Sequence, residues 1–198
     1  MIAISQRSSV DDRTNELRDC LDTSWHTFLK QCNCIGVPIP NNYDTCVKIM
    51  DTIPFDGILL TGGNTPVKYG GDSPQRDAVD DYLIHYARKN NIPLLGVCRG
   101  MQSICLHFGG SLKRVSGHVS TTHYITGLQN RTVNSFHNWS INELGAGIEI
   151  LAHSEDMEVE MVTHTKYNIT GIMWHPERNN PYDVEDVFLF SKCFRCEQ

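Results

Sequence analysis

The chain of 198 residues has 23 acidic and 17 basic side chains, which gives a net charge of −6 at pH 7. This balance argues against nucleic acid or an anionic membrane surface as a partner, because both need a concentration of basic residues. The length suits one α/β domain over residues 1–198. The chain shows neither a secretory signal nor the roughly 18–20 apolar residues of a membrane-spanning helix. We therefore expect a cytoplasmic protein.

The first half of the chain alternates between short apolar runs and stretches in which apolar residues recur with helical spacing. The apolar runs predict strands at residues 1–4, 34–40, 57–60 and 92–97. Helices are predicted at residues 12–31, 43–51, 74–90 and 104–108. Ser73 and Pro74 form a typical helix start, with serine as the cap and proline in the first turn. This alternation predicts a parallel sheet with helices on both faces.

The second half is richer in strands. They are predicted at residues 131–134, 148–151, 159–162 and 169–174, and a last helix is predicted at 184–193. We expect these strands to extend or flank the sheet of the first half. In such sheets, ligands bind outside the carboxyl ends of the strands. Three loops leave that edge, namely Thr61-Gly62-Gly63, the turn at Cys98 and the segment after Trp174.

The turn at Cys98 has the pattern of a nucleophile elbow, a sharp strand-to-helix turn that holds a nucleophile between two glycines. The stretch GVCRGMQ occupies residues 96–102, directly after a predicted strand. Glycine is expected at Gly96 and Gly100 because a Cβ atom there would clash. The sulfur would lie at the start of a helix, where the helix dipole favours a thiolate. The alternative is a packed cysteine in an ordinary glycine-rich turn.

A cysteine nucleophile needs a base, and the tetrapeptide WHPE at residues 174–177 offers one. His175 ends a predicted strand, and in an extended chain residues two apart point to the same side. Glu177 is therefore expected to accept the imidazole N–H and to stabilise the imidazolium, as the third member of a triad does. The alternative is a histidine at a strand end beside a surface glutamate.

Acyl transfer through a thioester also needs hydrogen-bond donors for the developing oxyanion. Two donors are expected: the backbone N–H of Arg99, directly after the nucleophile, and the N–H of Gly63. The preceding Gly62 helps this loop lie flat against a substrate. An ordinary glycine-containing loop is an equally good interpretation of these residues.

Three segments, LTGG at 60–63, GVCRGMQ at 96–102 and WHPE at 174–177, resemble in this order the class I glutamine amidotransferase family. The resemblance covers nearly the whole chain. It implies a three-layer α/β fold with a mostly parallel central sheet, helices on both faces and a nucleophile elbow. It also implies a Cys98-His175-Glu177 triad that attacks the γ-carbonyl carbon of a glutamyl group. The substrate-binding residues implied by the resemblance are Gly62, Gln102, Asn134, Ser135, Phe136 and His137.

Further details resemble the free-standing γ-glutamyl hydrolases of this family. They are the pair Arg76-Asp77, the run CRGMQ and the segment VNSFH at 133–137. The compact length and the run VNSFHNW are most similar to the γ-glutamyl-CDP-amidate hydrolases of bacterial capsule phosphoramidate synthesis. The implied partner is a small γ-glutamyl substrate, the implied assembly is a monomer or homodimer, and the implied chemistry needs neither a metal nor a cofactor.

Three alternatives for the function stay open. The chain could be a glutaminase subunit that delivers ammonia to a partner synthase, or a hydrolase of the γ-glutamyl-γ-aminobutyrate type. It could also be a non-enzymatic domain with Cys98 as a redox thiol. A nucleotide-linked substrate has only weak support from basic residues near the predicted loops, each of which is more readily explained as a solvated or structural charge: Lys68, Arg76, Arg99 and Arg178.

The eight cysteines are expected to be thiols, because disulfides are rare in a reducing compartment. Two of them, Cys32 and Cys34, are separated by one residue, and Cys193 and Cys196 by two. Together they could offer four sulfurs to zinc, although the first spacing is atypical. Partly buried free thiols are the simpler interpretation.

Overall fold

The computed structural model describes residues 1–195 and contains a nine-stranded sheet. The strands, in chain order, are β1 (Ile2–Ile4), β2 (Arg7–Val10), β3 (Leu17–Cys20), β4 (Gly36–Pro38), β5 (Gly57–Leu60), β6 (Leu94–Val97), β7 (Ser111–Arg114), β8 (Val119–Gly127), β9 (Arg131–Phe136), β10 (Trp139–Glu143), β11 (Ile148–Ser154), β12 (Val159–His164) and β13 (Ile169–Ile172). The helices are α1 (Ser24–Gln31), α2 (Tyr43–Thr52), α3 (Pro74–Asn90), α4 (Arg99–His107) and α5 (Val184–Cys193).

The large sheet has the strand order β4-β1-β5-β6-β13-β12-β11-β8-β9. Its first five strands pair in parallel, and the remaining four continue it in antiparallel fashion. The parallel strands are apolar because helices cover them: Ile58, Leu59 and Leu60 of β5 are fully buried. The prediction of a mostly parallel central sheet with helices on both faces is confirmed, and the later strands do extend that sheet.

The strand order brings two distant parts of the chain to one place. Strand β13, from the end of the chain, lies directly beside β6, with Val97 paired to Ile172. Both strands run in the same direction, so the residues that follow them emerge at the same edge of the sheet. Cys98 follows β6, and His175 comes three residues after β13.

The predicted helix over residues 12–31 is wrong in its first half. Strands β2 and β3 form a hairpin there, and only α1 is helical. The hairpin turn has specific turn chemistry: Asp11 accepts hydrogen bonds from the N–H groups of Arg13 and Thr14. Asn15 adopts a φ of 57°, a left-handed conformation that asparagine tolerates well. These local interactions override the helix-forming tendency of the polar residues.

Strands β7, β8 and β10 were not expected from the sequence. Strand β8 shows why, because of its nine residues only Ile125 is buried. A strand that is largely exposed carries no regular alternation of apolar and polar residues, and that alternation is the signal on which strand prediction depends. Among the residues that the structure describes, no helix combines the length and apolar character needed to cross a membrane.

The cysteines differ from expectation at one described position. Cys34 is disulfide-bonded, so the prediction that every cysteine is a thiol is wrong there. This bond removes one ligand of the four-sulfur zinc alternative, and Cys196 lies outside the described residues. The free thiols within residues 1–195 are Cys20, Cys32, Cys46, Cys98, Cys105 and Cys193. Burial raises the pKa of Cys32, Cys46 and Cys193 to about 12 and also raises that of Cys105.

Candidate active site

The turn between β6 and α4 has the geometry of a nucleophile elbow. Cys98 adopts φ 52° and ψ −104°, a combination outside the allowed regions for residues with a side chain. Its neighbours leave no room for a Cβ atom: one on Gly96 would lie 2.5 Å from the carbonyl carbon of Gly100. One on Gly100 would lie 2.3 Å from the carbonyl oxygen of Leu60. The expected need for glycine at both positions is confirmed, and strain of this kind marks functional sites.

His175 and Glu177 meet through a short turn rather than through extended chain. Residues Pro176–Arg178 form a single 3-10 turn, which carries the Glu177 carboxylate back to the imidazole. Nδ1 of His175 lies 2.7 Å from Oε1 of Glu177. Since the carboxylate accepts, Nδ1 carries the proton and Nε2 is left for another partner. Both side chains are buried, so water does not compete for this hydrogen bond.

The partner on the other side of His175 is the sulfur of Cys98. Burial opposes a positive charge on the imidazole and by itself would lower the pKa of His175. The charge of the Cys98 thiolate and its hydrogen bond, followed by those of Glu177, outweigh this effect and raise the pKa to about 9. These two neighbours therefore favour the imidazolium form of His175, which lies between a sulfur and a carboxylate.

The loop that follows β5 faces this pair and is held by a buried arginine. Arg76 is fully buried, and its Nη2 donates to the carbonyl oxygens of Thr61 at 2.7 Å and Gly62 at 3.0 Å. Its Nη1 donates to the carbonyl oxygen of Gly63. Holding three successive carbonyl groups on one guanidinium fixes the orientation of the peptide groups between them. Gly63 has a φ of 88°, which glycine adopts without strain.

Arg99, the other predicted source of an oxyanion donor, begins α4. A backbone N–H at this position has no partner within the helix, so it is available to an oxyanion. The side chain of Arg99 points away from the cavity and forms ion pairs with Asp77 and Asp80 on α3. It also donates to Ser103 Oγ at 3.1 Å. These contacts join the elbow helix to its neighbour.

A cavity of about 220 Å³ lies beside the sulfur of Cys98. Gly63 and Arg99 border it, together with three of the predicted substrate-binding residues, Gln102, Phe136 and His137. Nε2 of Gln102 donates to the carbonyl oxygen of Trp139 at 3.0 Å, which joins the start of β10 to the elbow helix. The cavity is therefore bounded by the predicted nucleophile Cys98, by both residues expected to supply oxyanion donors and by Gln102.

The other predicted substrate-binding residues lie elsewhere. Gly62 lines a smaller cavity of about 60 Å³ on the far side of His175. Ser135 is fully buried and donates to the carbonyl oxygen of His118 at 2.7 Å. Asn134 binds the backbone of His175 instead of facing the main cavity. The sequence motif placed these residues near the site. It did not reveal which of them bind backbone groups of the site and which face the cavity.

Of the four basic residues considered as partners of a pyrophosphate, two are buried against other protein groups and two are not. Arg76 and Arg99 are almost fully buried and occupied by internal partners, so neither faces a substrate. Lys68 lies over the ring of Tyr69. Arg178 remains partly exposed and stacks on Phe136 with its guanidinium carbon 4.4 Å from the ring centre. The smaller cavity is bordered by Arg178 and also by Arg7, which sequence reasoning had not singled out.

Comparison with known proteins agrees with this geometry. The family model described as "Glutamine amidotransferase class-I" matches residues 17–192. The γ-glutamyl-CDP-amidate hydrolase of Campylobacter jejuni is 32% identical over 182 residues, which cover 90% of each protein. A glutamine-hydrolysing GMP synthase subunit from Thermococcus kodakarensis is 30% identical over 176 residues, 82% of this chain and 88% of that protein.

Similarity to solved structures concerns the fold alone. A glutamine amidotransferase from Thermotoga maritima superposes with a TM-score of 0.65 at 16% sequence identity, covering 89% of this chain and 75% of that one. The elbow, the parallel strands around it and the match over residues 17–192 lead to one assignment. The chain belongs to the class-I glutamine amidotransferase family.

Proposed function

We propose that this protein is a cysteine-dependent hydrolase of γ-glutamyl amides in which Cys98, His175 and Glu177 are the catalytic residues. The observation that carries the proposal is the position of His175. Its imidazole interacts with the Cys98 sulfur on one side and with Glu177, at 2.7 Å, on the other. A nucleophile, a base and a group that orients the base are the three parts that covalent catalysis by cysteine requires.

Acylation follows from this arrangement. The Cys98 thiolate attacks the γ-carbonyl carbon of the substrate in the cavity, and the carbonyl oxygen becomes an oxyanion. The N–H groups of Arg99 and Gly63 donate to that oxyanion, and one such donor is typically worth about 10²–10³ in kcat. The imidazolium of His175 then gives its proton to the departing nitrogen. The C–N bond breaks, and a γ-glutamyl thioester remains on Cys98.

Deacylation uses the same groups in reverse. His175, now neutral, takes a proton from water, and the hydroxide attacks the thioester carbonyl. The C–S bond breaks, glutamate leaves, and the thiolate–imidazolium pair forms again. Glu177 keeps the proton on Nδ1 throughout, so Nε2 always faces the reaction. No metal ion takes part in these steps, since the sulfur supplies the nucleophile.

For the substrate, we propose γ-glutamyl-CDP-amidate, which hydrolysis converts to glutamate and cytidine diphosphoramidate. Two observations support it. The relative from Campylobacter jejuni, whose name specifies this substrate, matches 90% of the chain. In addition, Arg7 and Arg178 border the cavity next to His175 alongside Asp22 and Glu177, and their guanidinium groups are the groups there that would pair with a pyrophosphate. Neither arginine is among the fully buried ones, so both can respond to a ligand.

The experiment is an assay of glutamate release from matched γ-glutamyl conjugates. The set contains γ-glutamyl-CDP-amidate, glutamine and γ-glutamyl-γ-aminobutyrate. We expect the CDP conjugate to have the highest kcat/KM, and Cys98→Ala to abolish release from every compound. Cys193→Ala, which removes a thiol from α5, should retain full activity. A γ-glutamyl adduct on Cys98, observed by intact mass after rapid quenching, identifies the thioester directly.

A second candidate is a glutaminase subunit that supplies ammonia to a synthase. It is favoured by the match to the GMP synthase subunit from Thermococcus kodakarensis, which covers 88% of that protein. Such a subunit would hydrolyse glutamine slowly by itself and faster in the presence of its synthase. High activity of the isolated chain on the CDP conjugate, with little on glutamine, decides against this candidate. If the chain instead prefers γ-glutamyl-γ-aminobutyrate, it is a hydrolase of the γ-glutamyl-γ-aminobutyrate type.

A further inference from the structure

We propose that His118, His123 and Glu160, with His137 beside them, form a binding site for a divalent transition metal, most suitably Zn²⁺. The cluster does not include Cys98, and the ion would have a structural role. Its ligand atoms are imidazole nitrogens and a carboxylate oxygen, the set that zinc commonly binds. One ligand atom from each of His118, His123 and Glu160 lies within 4.8 Å of the other two.

Four of the six separations between ligand atoms in the cluster are close to those expected around one tetrahedral ion. Oε1 of Glu160 lies 3.2 Å from Nε2 of His123, 3.4 Å from Nε2 of His137 and 4.0 Å from Nδ1 of His118. Nδ1 of His118 lies 3.2 Å from Nε2 of His137. With metal–ligand bonds of about 2.0–2.2 Å, tetrahedral ligands stand about 3.3–3.6 Å apart. The longest of the four separations needs only a small movement.

The strongest evidence that a cation binds to this cluster comes from Glu160. Its side chain is fully buried, and within the described part of the chain neither carboxylate oxygen has a hydrogen-bond partner of acceptable geometry. Nε2 of His123 is also buried and unpartnered by the same criterion, although it lies 3.2 Å from Oε1. Close polar atoms that do not align as donor and acceptor are expected when both point at a shared cation. Burying a carboxylate is costly unless it is paired, and the nearby histidine nitrogens of His123 and His137 can offset that cost either as N–H donors or as ligands of a cation shared with Glu160.

Two of the histidines also have a second ring nitrogen, here called the outward nitrogen, that faces away from the cluster, and its partners are consistent with a metal site. Nε2 of His118 lies 2.8 Å from Oδ2 of Asp156, and Nδ1 of His137 lies 3.1 Å from the carbonyl oxygen of Trp139. Both partners are acceptors, so each outward nitrogen carries the proton. The inward nitrogens lie 3.2 Å apart, and because two facing lone pairs repel each other, either a proton or a shared cation must lie between or beside them. Histidine ligands of metals are held by carboxylates and carbonyls in this way.

The position of the cluster indicates what the ion would do. His118 directly precedes β8, and His123 lies within that strand. His137 follows β9, and Glu160 lies in β12. An ion would therefore join three segments in the antiparallel half of the sheet, where β8 is largely exposed and only Ile125 of its nine residues is buried. His137 also borders the cavity beside Cys98, so the ion would hold one wall of that cavity.

The test uses the Cys98→Ala variant as its background, so that the reactive thiolate cannot bind metal. The metal-free protein is titrated with Co²⁺, whose visible absorption reports a four-coordinate site, and with Zn²⁺ in competition. We expect one ion per chain. We also expect a rise in melting temperature of roughly 5–10 °C at free Zn²⁺ about 100-fold above its Kd.

Matched substitutions locate the ion. His123→Gln and Glu160→Gln should each weaken binding by at least about 100-fold, and Asp156→Asn, which acts through His118, by about 10–100-fold. His85→Gln and Glu149→Gln change exposed residues and should bind normally. The proposal is overturned if the background protein shows neither the Co²⁺ spectrum nor the stabilisation by Zn²⁺. It is also overturned if both ligand variants bind as tightly as the two controls.

Discussion

The side-chain amide of Asn134 holds the backbone of His175 at two points. Its Oδ1 accepts from the N–H of His175 at 2.8 Å, and its Nδ2 donates to the carbonyl oxygen of the same residue at 2.7 Å. The second hydrogen of Nδ2 goes to Oδ1 of Asn179 at 2.8 Å. Both donors of the amide are thus occupied by protein, so Asn134 positions the proposed base and has no donor left for a substrate.

Asn134→Asp tests this positioning role. The carboxylate can still accept from the N–H of His175 but repels its carbonyl oxygen, so the imidazole should move from its place between Cys98 and Glu177. We expect kcat to fall by about 10–100-fold while KM changes little, because misplacement by about 1 Å has costs of this size. Steady-state kinetics with the preferred γ-glutamyl substrate measures both constants.

The matched control is Asn130→Asp, which changes an exposed turn and should leave kcat and KM as they were. A raised KM with unchanged kcat would mean that Asn134 binds substrate, as the resemblance to the family implies. The two roles therefore separate in one experiment.

The buried helices and strands were predictable from sequence because their apolar residues face the interior of the protein. The run Gly57–Leu60 is apolar throughout and forms a strand with the predicted limits. Helix α3 begins at Pro74, directly after its predicted cap, although Ser73 makes no side-chain capping hydrogen bond. In both cases the local propensity of the residues and their burial favour the same element, so the sequence pattern alone predicts that element.

The rest depended on contacts between distant residues. No periodicity reveals that β13 pairs with β6, yet this pairing is what brings His175 to Cys98. Local composition likewise gave no indication that Arg76 would be buried against the carbonyl groups of Gly62 and Gly63, because an isolated arginine is usually a surface residue. The family motifs singled out the proposed catalytic residues, whereas the residues that hold them in place became visible only in the structure.

Two glycines near the proposed site should respond differently to the same substitution. A Cβ on Gly62 would lie 2.5 Å from Cε1 of His175, a side chain that can turn away. Gly62→Ala should therefore fold but lose about 10²-fold in kcat. A Cβ on Gly100 would lie 2.3 Å from the backbone oxygen of Leu60, so Gly100→Ala should lose about 1–3 kcal/mol of stability.

Thermal unfolding and kcat, measured on both glycine variants, distinguish these outcomes. Unchanged kcat in Gly62→Ala would show that the imidazole has more freedom than its contacts indicate. A stable Gly100→Ala variant would show that the elbow can open without loss of packing.

Arg76→Lys should weaken the loop that carries the proposed oxyanion donor. A lysine has one nitrogen and cannot reach the three carbonyl groups that the guanidinium joins. Losing charged hydrogen bonds to buried carbonyls should cost about 2–4 kcal/mol of unfolding free energy, measured by urea denaturation. Arg13→Lys, at an exposed position, is the control and should be neutral. Equal midpoints for the two variants would exclude the role given to Arg76.

The raised pKa of His175 makes a prediction about pH. Burial opposes the imidazolium, but the Cys98 thiolate, its hydrogen bond and Glu177 together raise the pKa to about 9. Because the protonated form donates to the leaving group, kcat/KM should fall as pH rises through about 9. A pKa above the unfolded value of about 6.5 also means that protonation stabilises the fold fully below pH 6.5. This stabilisation is lost as pH rises through about 9.

Cys98→Ala separates the causes of that shift. It removes the sulfur, whose charge contributes most to raising the pKa, and leaves Glu177 and the burial of the ring in place. NMR titration of the His175 imidazole should then give a pKa well below that of the unmodified protein. The difference in unfolding free energy between pH 7 and pH 10 should shrink in the same variant, since both quantities report one proton. An unaltered pKa in Cys98→Ala would place the sulfur out of contact with the imidazole, and the proposed proton transfer between them could not occur.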